Sequence, residues 1–155
     1  MSKEQFTGEV LAAEKSMYYT AKSILGNDED CADAMQNAIL KAYSHLASLK
    51  DEKYFRTWLT RILINECYSM IRRNKLTVSY EEYMENEASH DSSGYSEVFM
   101  EIQALDERYR VPFILHYVEG FSMKEVAEML RSTEAGIKMR LLRARNILKK
   151  QLTAV

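Results

Sequence analysis

Along most of the chain apolar residues recur at intervals of three and four, the period of one face of an α-helix. Val10, Met17, Ala21 and Ile24 fall on one side of a first helix that Gly26-Asn27 closes. Asp28, Asp30 or a neighbour then caps a second helix, whose core face carries Met35, Ile39, Ala42, Leu46 and Leu49. A third helix, about Tyr54 to Lys75, turns Phe55, Leu59, Ile62 and Met70 inward. The stretch TVSYEEYMENEASHDSSGYS, residues 77–96, then breaks the pattern: it has no sustained apolar stripe and reads as a linker. Beyond it, Val98, Ile102 and Leu105 make a short amphipathic helix. Asp106 can cap the next, whose apolar run VPFILHYV lasts until Gly120. Pro112 lacks an N–H, so that segment is expected to start late or to kink there. Ser122 and Glu125 have the spacing of a capping box, and Val126, Met129 and Leu130 supply the stripe of the helix it opens. RST makes a tight turn, Thr133 can cap, and Ile137, Leu141, Ala144 and Leu148 face the core from a long last helix. The pattern predicts an all-α chain of two small helical domains, residues 1–76 and 97–155, joined by an acidic flexible linker over 77–96. The last two helices have the layout of a helix-turn-helix.

The outward faces carry the chemistry. On the second helix Asp33, Gln36, Asn37, Leu40 and Ser44 lie opposite the core, which suits either a solvated face with one stray Leu or a protein-docking face. On the third, Arg61, Asn65, Tyr68 and Arg72 stack within about 60° of one another, with Trp58 at the border. A guanidinium neutralises phosphate, an amide offers donor and acceptor to a base edge, and rings stack on unstacked bases. Alone, that ladder also fits a solvated helix face. On the last helix Met139, Leu142, Arg143 and Asn146 point away from the core, flanked by Lys138, Lys149 and Lys150. Two helices in a bundle would explain the apolar stripe but not this one-sided positive charge, which a recognition helix in the DNA major groove does explain.

Charge sharpens the picture once it is read by segment. The net charge of −2 hides eight Lys or Arg against three Glu from Phe121 to Val155, a local +5. Asp51 to Tyr80 carries six positive and three negative residues, and nine acidic residues lie between Glu81 and Glu107. Two basic modules therefore flank an acidic connector. Five Gly and one Pro in 155 residues agree with helices. Cys31 and Cys67, and His45, His90 and His116, are scattered, so neither a disulfide framework nor a metal site is expected. No apolar run approaches the roughly 20 residues of a membrane span and Met1 to Val10 has no signal-peptide pattern, so a cytoplasmic protein is expected. With no phosphate-cradling G-x-x-x-x-G-K-[ST] and no catalytic constellation, neither an enzyme nor a cofactor nor a small-molecule substrate is expected.

The blocks DCADAMQNAILKAY, FRTWLTRILINECYSMIRR and LDERYRVPFILHYVEGFSMKEVAEMLRSTEAGIKMRLLRAR resemble, in this order, the two domains of bacterial RNA polymerase sigma factors of the extracytoplasmic-function (ECF) group. The resemblance implies a dissociable promoter-specificity subunit whose partners are core RNA polymerase, promoter DNA and an anti-sigma factor, and which is expected to be a monomer when free. By position it implies polymerase docking through Asp33, Gln36, Asn37 and Leu40. It implies contact with the minus-ten element through Trp58, Arg61, Asn65, Tyr68, Arg72 and Arg73. Asn65 falls where the family holds a flipped base, with the loop from Ser48 to Lys53 as the pocket's other wall. Contact with the minus-thirty-five element falls to Thr133, Lys138, Met139, Leu142, Arg143 and Asn146. Several positions depart from the family pattern: Asn37 stands where an acidic residue is common, Ser69 replaces a frequent Asp, Arg131 stands where the turn usually has Gly, and Ala135-Gly136 replaces Gly-Thr. Met139 and Leu142 bring no hydrogen-bonding group to a base edge. The competing reading is a conventional helix-turn-helix regulator whose first domain dimerises or senses an effector; it leaves the ladder on the third helix without a task.

Overall fold

A computed structural model describes residues 1–77 and 97–153 of the chain, and among these there are helices and turns but no strand. The chain divides into two compact units, Met1–Ser89 and His90–Val155. The acidic connector expected over residues 77–96 lies, from residue 78 onward, outside the described residues.

In the first unit, α1 (Lys3–Leu25), α2 (Asp28–Ser44) and α3 (Phe55–Thr77) pack pairwise against one another. Ser2 and Gln5 form a capping box at the start of α1, and Gly26, at a φ of 86° that suits a residue without Cβ, ends it. Asn27 is the neighbour that caps α2: its side chain accepts a hydrogen bond from the Asp30 N–H at 2.8 Å.

The core of α2 differs from the expected stripe. Cys31, Ala34, Ala38 and Ala42 are the fully buried residues, while Met35, Ile39, Leu46 and Leu49 are only half-buried. Small side chains let α2 approach α1 and α3 closely, so the line of contact runs along the alanines and the larger residues are pushed to its margins. Val10 on α1 is likewise half-buried. On α3 the buried set is broader than one stripe. Phe55, Leu59 and Met70 are buried as expected and Ile62 only partly, but Leu63, Ile64 and Cys67 are buried too, because α3 faces both α1 and α2.

The second unit consists of α4 (Glu97–Gln103), α5 (Glu107–Phe113), a π-helical turn (Ile114–Val118), α6 (Met123–Met129) and α7 (Glu134–Thr153), with α7 packed against α4, α5 and α6. Ile102, Leu105, Ile114, Ala144 and Leu148 form its core cluster, edged by Tyr109 and Phe113. Val98, expected in that core, is instead 48% exposed; it lies in the first turn of a helix of 7 residues, of which only Ile102 is buried. Asp106 caps α5 from its expected position, so the helix does not start late. Pro112 sits inside α5, and the winding widens two residues later: the Glu119 N–H reaches the Ile114 carbonyl at 2.9 Å, one residue beyond α-helical reach. A register expanded just after a residue that cannot donate is an expected response to proline. Arg110 ties the unit together by donating to the carbonyls of Gln103 and Leu105, at 3.1 and 2.9 Å.

Candidate nucleic-acid interface

On α3 the outer ladder is presented as its spacing requires. Arg61, Asn65, Arg72 and Arg73 are exposed, and Tyr68 and Trp58 are half-buried. Trp58 leans on Phe55, ring centroids 5.9 Å apart, so its ring is braced from the core while the side chain stays partly exposed. Arg72 donates to the Ser69 hydroxyl at 3.0 Å, which keeps the guanidinium along the helix surface. Next to Asn65 comes a residue that periodicity gave no reason to single out. The Glu66 side chain is 4% exposed and forms an ion pair with Lys41 of α2. A carboxylate reads as a surface residue in any apolar pattern; only its partner across the helix pair accounts for its burial.

The loop before α3 holds two short 3₁₀ turns, Leu46–Ser48 and Glu52–Tyr54. Asp51 caps the second by accepting from the Lys53 N–H at 3.1 Å. Tyr54 is 54% exposed with the Lys53 ammonium 5.0 Å from its ring centroid, so this loop offers a ring and a cation beside the ladder's N-terminal end. The apolar pattern places Tyr54 at the start of the third helix, whereas it closes the turn before it, so periodicity gives no signal for its ring.

On the outer face of α2, Asp33, Gln36 and Leu40 are exposed and Asn37 is half-buried. Leu40 is 61% exposed, and Tyr43, on the same side of α2 about one turn on, is 49% exposed while its ring packs edge-on to Phe6 at 5.3 Å. Leu40 is therefore not a stray residue but half of an exposed apolar pair among polar neighbours.

The second unit builds the helix-turn-helix from its caps. Ser122 accepts from the Glu125 N–H and the Glu125 carboxylate accepts from the Ser122 N–H, both at 3.1 Å, which fixes the start of α6. After Met129 the chain turns through Arg131 at φ 54°. Thr133 then caps α7 by accepting from the Gly136 N–H at 3.0 Å. A Cβ at position 136 would lie 3.0 Å from the Ser132 hydroxyl and 3.1 Å from that of Thr133, so glycine fits beneath these two hydroxyls. Ile137, Leu141, Ala144 and Leu148 are buried, as the stripe requires. Thr133, Lys138, Met139, Leu142, Arg143 and Asn146 are all exposed on the other side of α7 or at its cap.

Among the described residues no group of three or more His, Cys, Asp or Glu could hold a metal ion, and no helix is long and apolar enough to cross a membrane. Both thiols are buried. Desolvation, offset in part by Lys22, pushes Cys31 up to about 12, and desolvation together with the neighbouring Cys31 pushes Cys67 higher still. Both stay neutral near pH 7 and serve as small apolar groups in the core.

A family model for sigma-70 region 2 matches residues 11–77, and one for sigma-70 region 4 matches residues 96–148. The RNA polymerase sigma factor SigV of Bacillus subtilis is 28% identical over 162 aligned positions, covering 99% of this chain and 97% of the relative. The ECF RNA polymerase sigma factor SigW of the same organism is 28% identical, covering 88% of this chain and 82% of its own. Among solved structures, the sigma factor RpoE in complex with the anti-sigma factor NepR from Bartonella quintana superposes with a TM-score of 0.78 at 25% identity, covering 97% of this chain and 98% of the other. With the two regions matched in order, the exposed ladder in the first and the capped helix-turn-helix in the second, the chain belongs to the sigma-70 family of RNA polymerase sigma factors, in its extracytoplasmic-function group.

Proposed function

We propose that this protein is the promoter-specificity subunit that joins core RNA polymerase, selects promoters by two elements and helps to open the DNA between binding and initiation. The observation that carries the reading is the exposure of Arg61, Asn65 and Arg72 along one face of α3, in a chain that also presents a basic recognition helix. In a conventional regulator that ladder would have no ligand. Here the arginines neutralise phosphates of the minus-ten element, Asn65 holds a base taken out of the stack, and Trp58 and Tyr68 provide rings beside it. Flipping one base costs a few kcal/mol, which stacking and a base-edge contact offset without nucleotide hydrolysis. Asp33, Gln36, Asn37 and Leu40 dock on the polymerase, and Thr133, Lys138, Met139, Leu142, Arg143 and Asn146 meet the minus-thirty-five element. The protein acts by binding and is not itself an enzyme; it works in the cytoplasm, where polymerase and promoter are, and is monomeric when free. An anti-sigma factor, the class of partner that RpoE carries in its complex, restrains it.

Run-off transcription by core polymerase on a genomic promoter library, with and without the protein, tests the reading. New start sites that need the protein and weaken with Asn65→Ala and with Arg143→Ala are expected. No new start sites, together with specific DNA binding in the absence of polymerase, would establish the conventional regulator instead.

A further inference from the structure

The exposed side of α7 is sorted by chemistry. At about 100° per residue, Ala135, Met139, Leu142 and Asn146 share a stripe within about 60°, roughly opposite the buried Ile137, Leu141, Ala144 and Leu148. Lys138, Arg145 and Lys149 lie along one margin of that stripe and Arg143 and Lys150 along the other, all exposed. A helix in the major groove turns its centre to the base edges and its two margins to the two phosphate backbones. The margins of α7 carry the cations and its centre carries almost none of the donors that read bases. Met139 is 48% exposed and Leu142 is 42% exposed, large apolar side chains that the described residues leave open to water.

Of the groups displayed in the major groove, the 5-methyl of thymine is the apolar one. On the reading of this unit as the promoter's upstream reader, we infer that Met139 and Leu142 determine specificity by each seating on the 5-methyl group of a thymine, at two neighbouring base pairs. Three residues of helix rise about 4.5 Å, somewhat more than one base-pair step of about 3.4 Å, so the two side chains reach adjacent or next-adjacent pairs. The flanking lysines and arginines supply affinity and register without sequence preference. Asn146, about 16 Å along the helix from Ala135, is the amide at the far end of the stripe.

Uracil lacks only the methyl, so replacing thymine by uracil isolates the contact. On a promoter recovered by the run-off experiment, each thymine of the upstream element is replaced in turn and the polymerase-bound protein is titrated against the duplex. Two positions are expected to lose about fourfold in affinity, the effect of uncovering one methyl-sized group, and the others to be silent. Leu142→Ala should remove the thymine preference at one of these positions and Met139→Ala at the other, while circular dichroism of both variants stays that of the parent, since both side chains are exposed. Start sites that depend on the protein but show no uracil-sensitive position, or a sensitivity that both variants retain, would overturn the inference and leave the promoter reading standing. A complete absence of protein-dependent start sites would overturn both.

Discussion

Arg131 shows how one residue can be at odds with its own backbone. The Ser132 N–H bonds to the Ala127 carbonyl at 2.8 Å and the Arg131 N–H to the Glu128 carbonyl at 3.3 Å, the paired bonds of a Schellman ending to α6. That ending requires a left-handed residue, and Arg131 supplies it at φ 54° where glycine would be unstrained. The left-handed region costs a residue with a Cβ about 1–2 kcal/mol, and the greater freedom of an unfolded glycine returns about 0.5–1 kcal/mol of that. Arg131→Gly is therefore expected to stabilise the fold by about 0.5–1 kcal/mol, seen as a higher urea midpoint with an unchanged slope. An unchanged or lower midpoint would mean that the arginine side chain gains elsewhere what its backbone loses.

Between elements, the feature with the sharpest energetic consequence is the ion pair from Lys41 on α2 to the buried Glu66 on α3. Its halves are unequal: Lys41 is 60% exposed while the Glu66 side chain is 4% exposed. Removing the lysine leaves a carboxylate in the core without its counter-ion, whereas removing the carboxylate leaves an ammonium that water can solvate. Lys41→Ala is expected to cost at least about 1–3 kcal/mol in chemical denaturation, and Glu66→Leu to be close to neutral. Equal losses from both would show that the pair acts as a simple surface bridge. The same pair marks the limit of what periodicity reveals. A stripe of large apolar residues locates a helix that buries one face, as Ile137, Leu141, Ala144 and Leu148 do on α7. It underestimates α3, which buries Leu63, Ile64 and Cys67 as well because it has two neighbours, and it overlooks Ala34 and Ala38, whose small size is what lets α2 come close. Outward faces were more legible than cores. Arg61, Asn65, Arg72 and Arg143 are exposed where the sequence placed them, because charge and amide groups avoid burial unless paired, and Glu66 is a paired exception.

At the scale of the whole molecule, charge decides how promoters are found. Affinity for DNA comes chiefly from cations replacing counter-ions on phosphates, and long-range attraction follows the net field. From Phe121 to Val155 the chain carries +5, yet nine acidic residues between Glu81 and Glu107 and a total of −2 remove the attraction that an independent DNA binder relies on. Each proposed recognition surface is also small: one helix face in each of two units. Two weak surfaces bind strongly only when a scaffold holds them at the spacing of their two sites, because the second contact then becomes intramolecular. The free protein is accordingly expected to bind a duplex promoter no more tightly than the ordinary non-specific range, weaker than about 10⁻⁶ M at physiological salt, and to gain specific affinity only when core polymerase is added. Fluorescence anisotropy of a labelled promoter, titrated with the protein alone and then with the protein and polymerase together, separates the two cases. Tight, sequence-specific binding by the isolated chain would show that its local +5 segment suffices without a scaffold, and that polymerase adds position rather than affinity.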